Sequence, residues 1–376
     1  MKDADHDLTT PATDSIPAAD GATQHFQTAA GNISTHTGHT NAALKGPGTD
    51  VRHLRPRRWD RIELGIPAPL GHIDIMRPVL SISSQVSRGH VGNSATTPAL
   101  QALGCECWAL PTVILANRPD HGSTAGFPVA ATELSAMIRQ FDAMGWLASC
   151  GGLLTGYFRT AEQVAVAADA VARMRVEIPD LVYCCDPIIG DEQSGPYVPE
   201  EVATAIRDRL VPLADIVTPN RFELEWLTGT PVTDLVGAQR AAARLGVPSV
   251  LATSVPPGGN RIATALIDDR EVVFTSTAVH DGVPKGTGDV LAALFLAHRL
   301  NGRDGADALA LAAGALEVLI EASRGYDELQ LAPVLATAVV AQPLPVQRMR
   351  AGSGDGLAGA GSGAERQVDE LAGHRA

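Results

Sequence analysis

The sequence predicts an α/β fold in which a mostly parallel central sheet carries helices on both faces. Two observations predict it: short apolar runs alternate with amphipathic runs through residues 76–340, and polar, glycine-bearing segments follow several of the apolar runs. Alternation of this kind requires crossover helices that return each strand parallel to the one before. With 45% hydrophobic residues, the 376-residue chain is also long enough to bury a large core.

Each element is predicted from its own pattern. The predicted strands are short runs rich in apolar and β-branched residues: Val79–Ser83, Cys107–Leu115, Gly151–Thr155, Val182–Asp186, Ile216–Thr218, Ser249–Thr253, Ala263–Ile267 and Val272–Thr275. The predicted helices are the amphipathic runs Ser94–Leu103, Ala131–Met144, Ala161–Arg175, Pro199–Leu210, Arg221–Leu227, Gly237–Leu245 and Gly288–Leu300. Sites in such sheets lie at the carboxyl ends of the strands, so the residues that follow each strand are the functional candidates.

Composition divides the chain into three parts. Residues 1–75 are rich in Ala, Thr, Gly, Asp and His without a helical or strand period, which predicts a disordered N-terminal extension. Residues 341–376 are first Pro-rich and then Gly-, Ala- and Ser-rich, which predicts a disordered C-terminal tail. Residues 76–340 are the predicted folded domain.

Charge and hydropathy exclude two classes of partner. Lys+Arg 29 against Asp+Glu 42 gives a formal net charge of −13, whereas proteins that bind nucleic acid or anionic membranes need a basic face. No apolar run reaches the ~18 residues of a membrane span, and the first residues lack the apolar core of a secretory signal. The five cysteines lack zinc-ligand spacing, so we interpret them as reduced, small hydrophobic residues of a cytoplasmic protein.

The segment Gly286-Thr287-Gly288-Asp289 precedes a strongly apolar helical run. Its glycines permit a tight turn, and the first N–H groups of a helix are unpaired, so the segment is typical of an anion site supported by the helix dipole. A carboxylate in the same turn, Asp289, would face whatever this site holds. The alternative is an ordinary glycine-rich turn with Asp289 near the N-cap.

Two further acids follow neighbouring predicted strands. Asp186 ends one apolar run before a proline, and after Thr218 the residues Asn220 and Glu223 have the spacing of a helix capping box. A capping box alone needs no function. Two carboxylates at adjacent strand ends nevertheless suit Mg²⁺, which binds a few carboxylates together with phosphate oxygens and water.

The polar segment Ser83–Asn93 is predicted to be a loop between the first strand and the first helix, a position that commonly contacts ligand but that an ordinary loop also occupies. The sequence contains no G-x-x-x-x-G-K-[ST] motif, no H-R-D or D-F-G motif and no G-x-S-x-G motif. P-loop enzymes, protein kinases and α/β-hydrolases are therefore excluded.

Taken in order, these motifs resemble the pyridoxal kinase branch of the ribokinase-like superfamily over residues 78–325. The segments that carry the resemblance are SSQVSRGHVGNSATTPALQALG (Ser83–Gly104), LLTGY (Leu153–Tyr157), CDPIIGD (Cys185–Asp191), VPLADIVTPNRFELEWLTG (Val211–Gly229) and GTGD (Gly286–Asp289). The resemblance implies a three-layer α/β/α fold and transfer of the ATP γ-phosphoryl group to the 5′-hydroxyl of pyridoxal or related vitamers. It further implies Mg²⁺ with ATP, a monovalent cation of open identity and a homodimer.

The resemblance also implies roles for individual residues. The expected catalytic residues are Asp289 as general base and Gly286, Thr287 and Gly288 as the anion hole, with Asp186 and Glu223 organising Mg²⁺ and the ATP phosphates. The other expected nucleotide contacts are Thr218, Asn220, Thr253, Ser276, Thr277, Ala278 and Val279. The expected vitamer contacts are Ser84, Asp120, Tyr157 and Asp289, and a flap over the nucleotide is expected at Asp191–Tyr197.

Two positions depart from the family's pattern. In the second substrate loop, Leu115–His121, Pro119 replaces a hydroxyl residue that contacts the vitamer, and a proline also lacks a backbone donor. Lys285, directly before the GTGD segment, is interpreted as a solvated loop cation, with a phosphate contact as the alternative. Hydroxymethylpyrimidine kinase, which also binds a small hydroxymethyl heteroaromatic, is the second hypothesis and a non-catalytic vitamer-binding relative the third. A sugar kinase would usually carry Ala in place of Thr287.

Overall fold

The computed structural model describes residues 76–350, which form a ten-stranded sheet with helices on both faces and a separate two-stranded hairpin. In chain order the strands are β1 (Val79–Arg88), β2 (Cys107–Asn117), β3 (Gly126–Pro128), β4 (Gly152–Thr155), β5 (Val182–Cys185), β6 (Gly190–Asp191), β7 (Gly195–Pro196), β8 (Ile216–Val217), β9 (Ser249–Val255), β10 (Arg261–Ile267), β11 (Glu271–Ala278) and β12 (Gln347–Arg350). The helices are α1 (Asn93–Ala102), α2 (Ala131–Ala143), α3 (Ala161–Glu177), α4 (Glu200–Ala205), α5 (Arg221–Thr228), α6 (Leu235–Leu245), α7 (Thr287–Leu300), α8 (Gly305–Ala322) and α9 (Leu331–Ala338).

The strand order is β12-β11-β10-β9-β8-β5-β4-β1-β2-β3, and β6 and β7 form the separate hairpin. Every pair from β9 across to β2 is parallel, whereas the pairs at both margins are antiparallel. The predicted mostly parallel sheet in a three-layer, ribokinase-like α/β/α fold is thereby confirmed. Because β2 and β4 lie on opposite sides of β1, the chain reverses its direction of travel across the sheet at β1. In open α/β sheets, ligands bind outside the carboxyl ends of the strands at such a switch point.

Side-chain alternation along β1 assigns helices to the two faces of the sheet. Val79 packs in one core cluster with residues of α1, α7, α8 and α9, whereas Leu80 and Ile82 pack in another with residues of α2, α3 and α4. A third cluster joins α5 and α6 to β9 and β10. With both faces covered, the sheet presents its strand ends to ligands.

The structure corrects three features of the sequence analysis. β1 continues to Arg88, so Ser84 lies in a strand rather than in the predicted loop, and the register with β2 shifts between Ser83 and Gln85. Helices α8 and α9 were missed, because α8 packs against both α7 and α9 and is apolar on nearly every side, without an amphipathic period. The folded part also extends past residue 340, since β12 pairs antiparallel with β11.

All five cysteines are free thiols, four of them buried, in agreement with the interpretation as small hydrophobic residues. In the part of the chain that the structure describes, no helix has both the length and the apolar character needed to cross a membrane. The predicted disordered extension at residues 1–75 and, of the predicted tail at residues 341–376, the part from residue 351 onwards lie outside the described residues.

Candidate active site

Asp186 and Thr218 follow two neighbouring parallel strands and contact each other. Asp186 comes directly after β5 and Thr218 directly after β8, and the Thr218 hydroxyl donates to Asp186 Oδ1 at 2.9 Å. The parallel ladder continues past the strand ends, because Asp186 N donates to Thr155 O at 2.9 Å and Thr218 N to Cys185 O at 3.1 Å. Among the described residues Asp186 Oδ2 accepts no hydrogen bond. One carboxylate oxygen of this buried side chain is therefore open to a ligand.

Asn220 and Glu223 form the capping box that the spacing predicts. Asn220 Oδ1 accepts the Glu223 N–H at 2.9 Å, and Glu223 Oε2 accepts the Asn220 N–H at 2.9 Å. The second oxygen, Oε1, accepts the N–H groups of Ile189 at 2.8 Å and Gly190 at 3.4 Å. Glu223 therefore also holds the turn that leads from β5 into the β6–β7 hairpin, which a simple helix cap would not do.

This turn has a strained backbone. Ile188 has a φ of 36°, a conformation that β-branched residues rarely adopt and that clusters at functional sites. The turn presents the next two N–H groups to Glu223. The sequence analysis missed Ile188, since an isoleucine carries no signal for a positive φ.

The GTGD segment forms the first turn of α7. The helix begins at Thr287, directly after Gly286, which has a φ of 103°. A Cβ at Gly286 would collide with the carbonyl oxygen of His90, so both the backbone conformation and the close approach of the β1–α1 turn require glycine. The N–H groups of Thr287 and Gly288 have no partner within the helix, which gives this end of α7 the character of an anion site.

Asp289, Asp186 and Glu223 are buried carboxyls whose pKa values are all raised. Burial raises the pKa of Asp289 to about 6 and that of Glu223 to about 7, and it raises the pKa of Asp186 well above its ordinary value. The charges of Glu223 and Asp289 raise the pKa of Asp186 further. The ionised form of Asp186 is therefore destabilised both by burial and by the charges of the other two carboxylates.

The donor set fits a hard cation. Carboxylate oxygens suit Mg²⁺, and a cation would remove the mutual repulsion of the carboxylates. Within the described residues no three His, Cys, Asp or Glu side chains form a preformed metal cage. Mg²⁺ accordingly fits here with phosphate oxygens and water as the rest of its shell, as is usual for this ion at nucleotide sites.

Ser84 lies within β1, and Tyr157 lies two residues after the end of the neighbouring strand β4. A Cβ at Gly92 would collide with Ser84 Oγ, so Ser84 packs tightly against the β1–α1 turn. The N–H of Gly92 also lies close enough to the Asp289 carboxyl to lower its pKa partially, against the larger effect of burial. Tyr157 is fixed through its backbone, since its N–H donates to Ser83 Oγ at 3.0 Å and its carbonyl accepts from Thr112 Oγ1 at 2.7 Å. Ser84 and Asp289 therefore both lie next to the β1–α1 turn at Gly92.

The loop predicted to be the second substrate loop is held by a buried arginine, Arg118, that was not predicted from the sequence. Arg118, 4% exposed, donates from Nε and Nη2 to the two carboxylate oxygens of Asp120 at 3.0 Å. Its Nη1 donates to Glu328 Oε2 at 2.6 Å, and Glu328 lies on the segment between α8 and α9. Asp120 is therefore engaged with Arg118, and the loop is tied to the C-terminal helices. Pro119 begins a single 3₁₀ turn, a position that proline tolerates.

Lys285 pairs with the predicted flap. Asp191 in β6 accepts the Ser194 N–H at 2.6 Å, the Tyr197 hydroxyl and the Lys285 ammonium. The interpretation of Lys285 as a solvated loop cation is wrong, because it pairs with a carboxylate 94 residues away in sequence.

The remaining expected nucleotide contacts lie at the ends of β9 and β11. Thr253 N donates to Pro219 O at 2.9 Å, which brings the end of β9 beside the turn before Asn220. Ser276, Thr277 and Ala278 end β11, and Val279 follows them with 46% of its surface exposed. An exposed apolar side chain at a strand end is suited to cover a planar ring.

Comparisons with known proteins agree on one family. The family model described as Phosphomethylpyrimidine kinase matches residues 87–331. The chain is 40% identical to a pyridoxal kinase of Rubrobacter xylanophilus over 282 residues, 72% of this chain and 97% of the relative. It is 37% identical to a pyridoxal kinase of Corynebacterium diphtheriae over 271 residues, 70% of this chain and 96% of the relative. The solved pyridoxal kinase of Leishmania donovani in complex with ADP and pyridoxamine matches with a TM-score of 0.68 and 30% identity, over 73% of this chain and 99% of that chain.

Proposed function

The chain belongs to the pyridoxal kinases, within the family described as Phosphomethylpyrimidine kinase, and we propose how its residues carry out phosphoryl transfer. The chain is an ATP-dependent pyridoxal kinase. It transfers the γ-phosphoryl group of ATP to the 5′-hydroxyl of pyridoxal and yields pyridoxal 5′-phosphate and ADP. The observation that carries this proposal is the buried Asp289 in the first turn of α7, next to the anion site and to the turn that contacts Ser84.

Asp289 is the general base. The 5′-hydroxyl gives its proton to an Asp289 carboxylate oxygen as the hydroxyl oxygen bonds to the γ-phosphorus and the bond from phosphorus to the ADP oxygen breaks. A pKa of about 6 leaves this carboxyl mostly ionised at neutral pH and close to the operating range of a base. The N–H groups of Thr287 and Gly288, with Gly286 as the turn, stabilise the charge on the phosphoryl oxygens.

Asp186 and Glu223 would hold Mg²⁺ in different ways, Asp186 by direct contact and Glu223 through water. When bound by these residues, Mg²⁺ would supply charge neutralisation and orientation of the phosphates for in-line transfer. The free Oδ2 of Asp186 suits direct contact with a cation. Both oxygens of Glu223 already accept backbone N–H groups, so Glu223 acts through water and fixes the turn after Ile188.

The other nucleotide contacts surround this pair. Thr218, Asn220 and Thr253 lie at consecutive strand ends beside the phosphates. Ser276–Val279 flanks the adenine, where Val279 offers an apolar surface.

On the vitamer side, Ser84 contacts the pyridine ring and Tyr157 packs against it, while Arg118 and Glu328 set the position of the loop that carries Asp120. Pyridoxine and pyridoxamine are further substrates. The solved relative bound with pyridoxamine supports this breadth.

We also propose a homodimer in the cytoplasm. Free thiols at all five cysteines support a reducing compartment. The edge strand β3, whose Phe127 is 59% exposed, offers an apolar surface that a second copy would cover. Light scattering coupled to size exclusion tests the dimer, and Phe127→Ser should weaken it.

The experiment that tests the function measures ADP release from Mg²⁺-ATP with pyridoxal, hydroxymethylpyrimidine or ribose, with Asp289→Ala as the control. A strong pyridoxal signal that the variant lacks supports the proposal. Preference for hydroxymethylpyrimidine, the second hypothesis from the sequence, would retain the mechanism but change the substrate. Bound pyridoxal without turnover would instead indicate a non-catalytic vitamer-binding relative.

A further inference from the structure

Lys285 joins two parts of the nucleotide site that are distant in sequence. Its backbone directly precedes Gly286 of the anion loop, and its ammonium donates to Asp191 in the β6–β7 hairpin. The same ammonium lies 3.4 Å from Ser194 Oγ and 3.3 Å from the Tyr197 hydroxyl oxygen. It also lies 5.7 Å from the centre of the Tyr197 ring, within the range of a cation–π interaction. One side chain thus connects the hairpin to the loop that binds the transferred phosphoryl group.

The hairpin would otherwise bring an unpaired negative charge to the nucleotide. Asp191 directly follows Gly190, whose N–H donates to Glu223, so this part of the hairpin lies beside one of the two acids proposed to hold Mg²⁺. Burial alone raises the pKa of Asp191, but the hydrogen bonds from Lys285 and Tyr197 outweigh it and lower the pKa to about 2. Asp191 is therefore ionised at neutral pH, next to the position of a triphosphate.

The Lys285–Asp191 ion pair is less exposed to solvent than an ordinary surface ion pair, so its loss should have a larger effect. The side chains of Lys285 and Asp191 are 34% and 22% exposed, whereas the Arg173–Asp142 pair between α3 and α2 is 48% and 36% exposed. Exposed pairs of the second kind contribute little, because solvent screens them. A more buried pair leaves a costly unpaired charge when one partner is removed.

We propose that Lys285 is a positioning residue that neutralises Asp191 and holds the β6–β7 hairpin against the anion loop, so that the hairpin closes on ATP without repelling its phosphates. This inference rests on the nucleotide position proposed above. It differs from a direct contact between Lys285 and a phosphate, because in that case the effect of Lys285 would not depend on Asp191.

A charge-rescue experiment distinguishes these two roles. The variants are Lys285→Met, Asp191→Asn and the double variant, with Arg173→Met as a matched control that breaks an ion pair far from the site. We expect Lys285→Met to raise the KM for ATP about tenfold and to leave the KM for pyridoxal within about twofold, as for a partly buried pair broken on one side. Asp191→Asn should change the KM for ATP less, and Arg173→Met should change no kinetic constant.

The double variant gives the decisive result. Because it removes both charges, its KM for ATP should return to within about threefold of the native protein. A double variant as impaired as Lys285→Met would assign the lysine to a phosphate and overturn the proposal, as would a Lys285→Met variant with native KM values. Calorimetric titration with ADP on the native protein and the same four variants tests the same coupling without turnover. A native protein that binds ADP but does not phosphorylate pyridoxal would overturn the proposed function alone.

Discussion

On the proposed nucleotide side of the site, neighbouring strand ends and a cap within one helix turn position Asp186, Thr218 and Glu223. On the proposed vitamer side, Arg118 is instead positioned by Glu328, 210 residues away. The first group depends on the central parallel strands, which are buried on both faces. The second depends on a loop and on the segment that connects two C-terminal helices.

Because the two groups of residues are held by different parts of the fold, a substitution in one group should affect the binding of one substrate more than that of the other. A change at the C-terminal helices should alter the position of the vitamer loop and leave the acids at the strand ends in place. A change among the acids should affect phosphoryl transfer and nucleotide binding before it affects vitamer binding.

The largest effect is expected from Asp289→Asn. Loss of a positioned general base costs about 10²–10⁴ in rate, so kcat should fall by about 10³ while the KM values for both substrates change little. The same substitution should stabilise the protein, because it removes a carboxylate whose charge is disfavoured by burial and acts on Asp186. A thermal scan without nucleotide should show Tm higher by about 2–4 °C.

Asp307→Asn is the matched control for Asp289→Asn, since Asp307 occupies the first turn of α8 but is exposed. It should leave kcat unchanged and should not raise Tm. An Asp289→Asn enzyme that keeps more than a tenth of native kcat, or that melts at a lower temperature, would contradict the role assigned to this carboxyl.

The two acids proposed to hold Mg²⁺ should respond unequally to loss of charge. Asp186→Asn removes a direct ligand and should lower kcat/KM for ATP about 100-fold, whereas Glu223→Gln should lower it about tenfold because Glu223 acts through water. Titration of activity with Mg²⁺ should show a higher half-saturating concentration for Asp186→Asn than for Glu223→Gln. Equal effects would indicate that both carboxylates bind the ion directly.

Acidification should weaken activity and strengthen the fold in the same pH range. The pKa of Asp289 is raised to about 6 by burial, so about a tenth of the base is ionised at pH 5 and kcat/KM should fall about tenfold between pH 7 and pH 5. For stability the sign is opposite: between the unfolded pKa near 4 and the folded value, the native state binds the extra proton, and stability declines as pH rises through that range. Rate profiles and thermal scans over pH 5–8 check both trends, and a flat rate profile would exclude Asp289 as the base.

The sequence predicts the nucleotide side well because its determinants are local. The capping box of Asn220 and Glu223 requires only a three-residue spacing, and Asp186 follows its strand directly. Parallel strands then bring these ends together without any further signal. The fold class was predictable for the same reason.

The vitamer side and the flap contact were not predictable in this way. Arg118–Glu328 and Lys285–Asp191 join residues 210 and 94 positions apart, and no spacing rule links them. The extension of β1 through Ser84 was missed because polar residues bounded by glycine are typical of a loop, yet pairing with β2 keeps the segment extended. Tertiary contacts override local preference at such positions.

The separation of the two sides is tested most directly by the KM values of Glu328→Gln for pyridoxal and for ATP. Glutamine keeps the size of Glu328 but removes the charge that Arg118 requires, so the vitamer loop loses its anchor while the acids at the strand ends keep their contacts. The account predicts a KM for pyridoxal raised about tenfold and a KM for ATP within about twofold of the native value, with a folded enzyme confirmed by its melting curve. A rise in the KM for ATP of equal size, or an unchanged KM for pyridoxal, would contradict it.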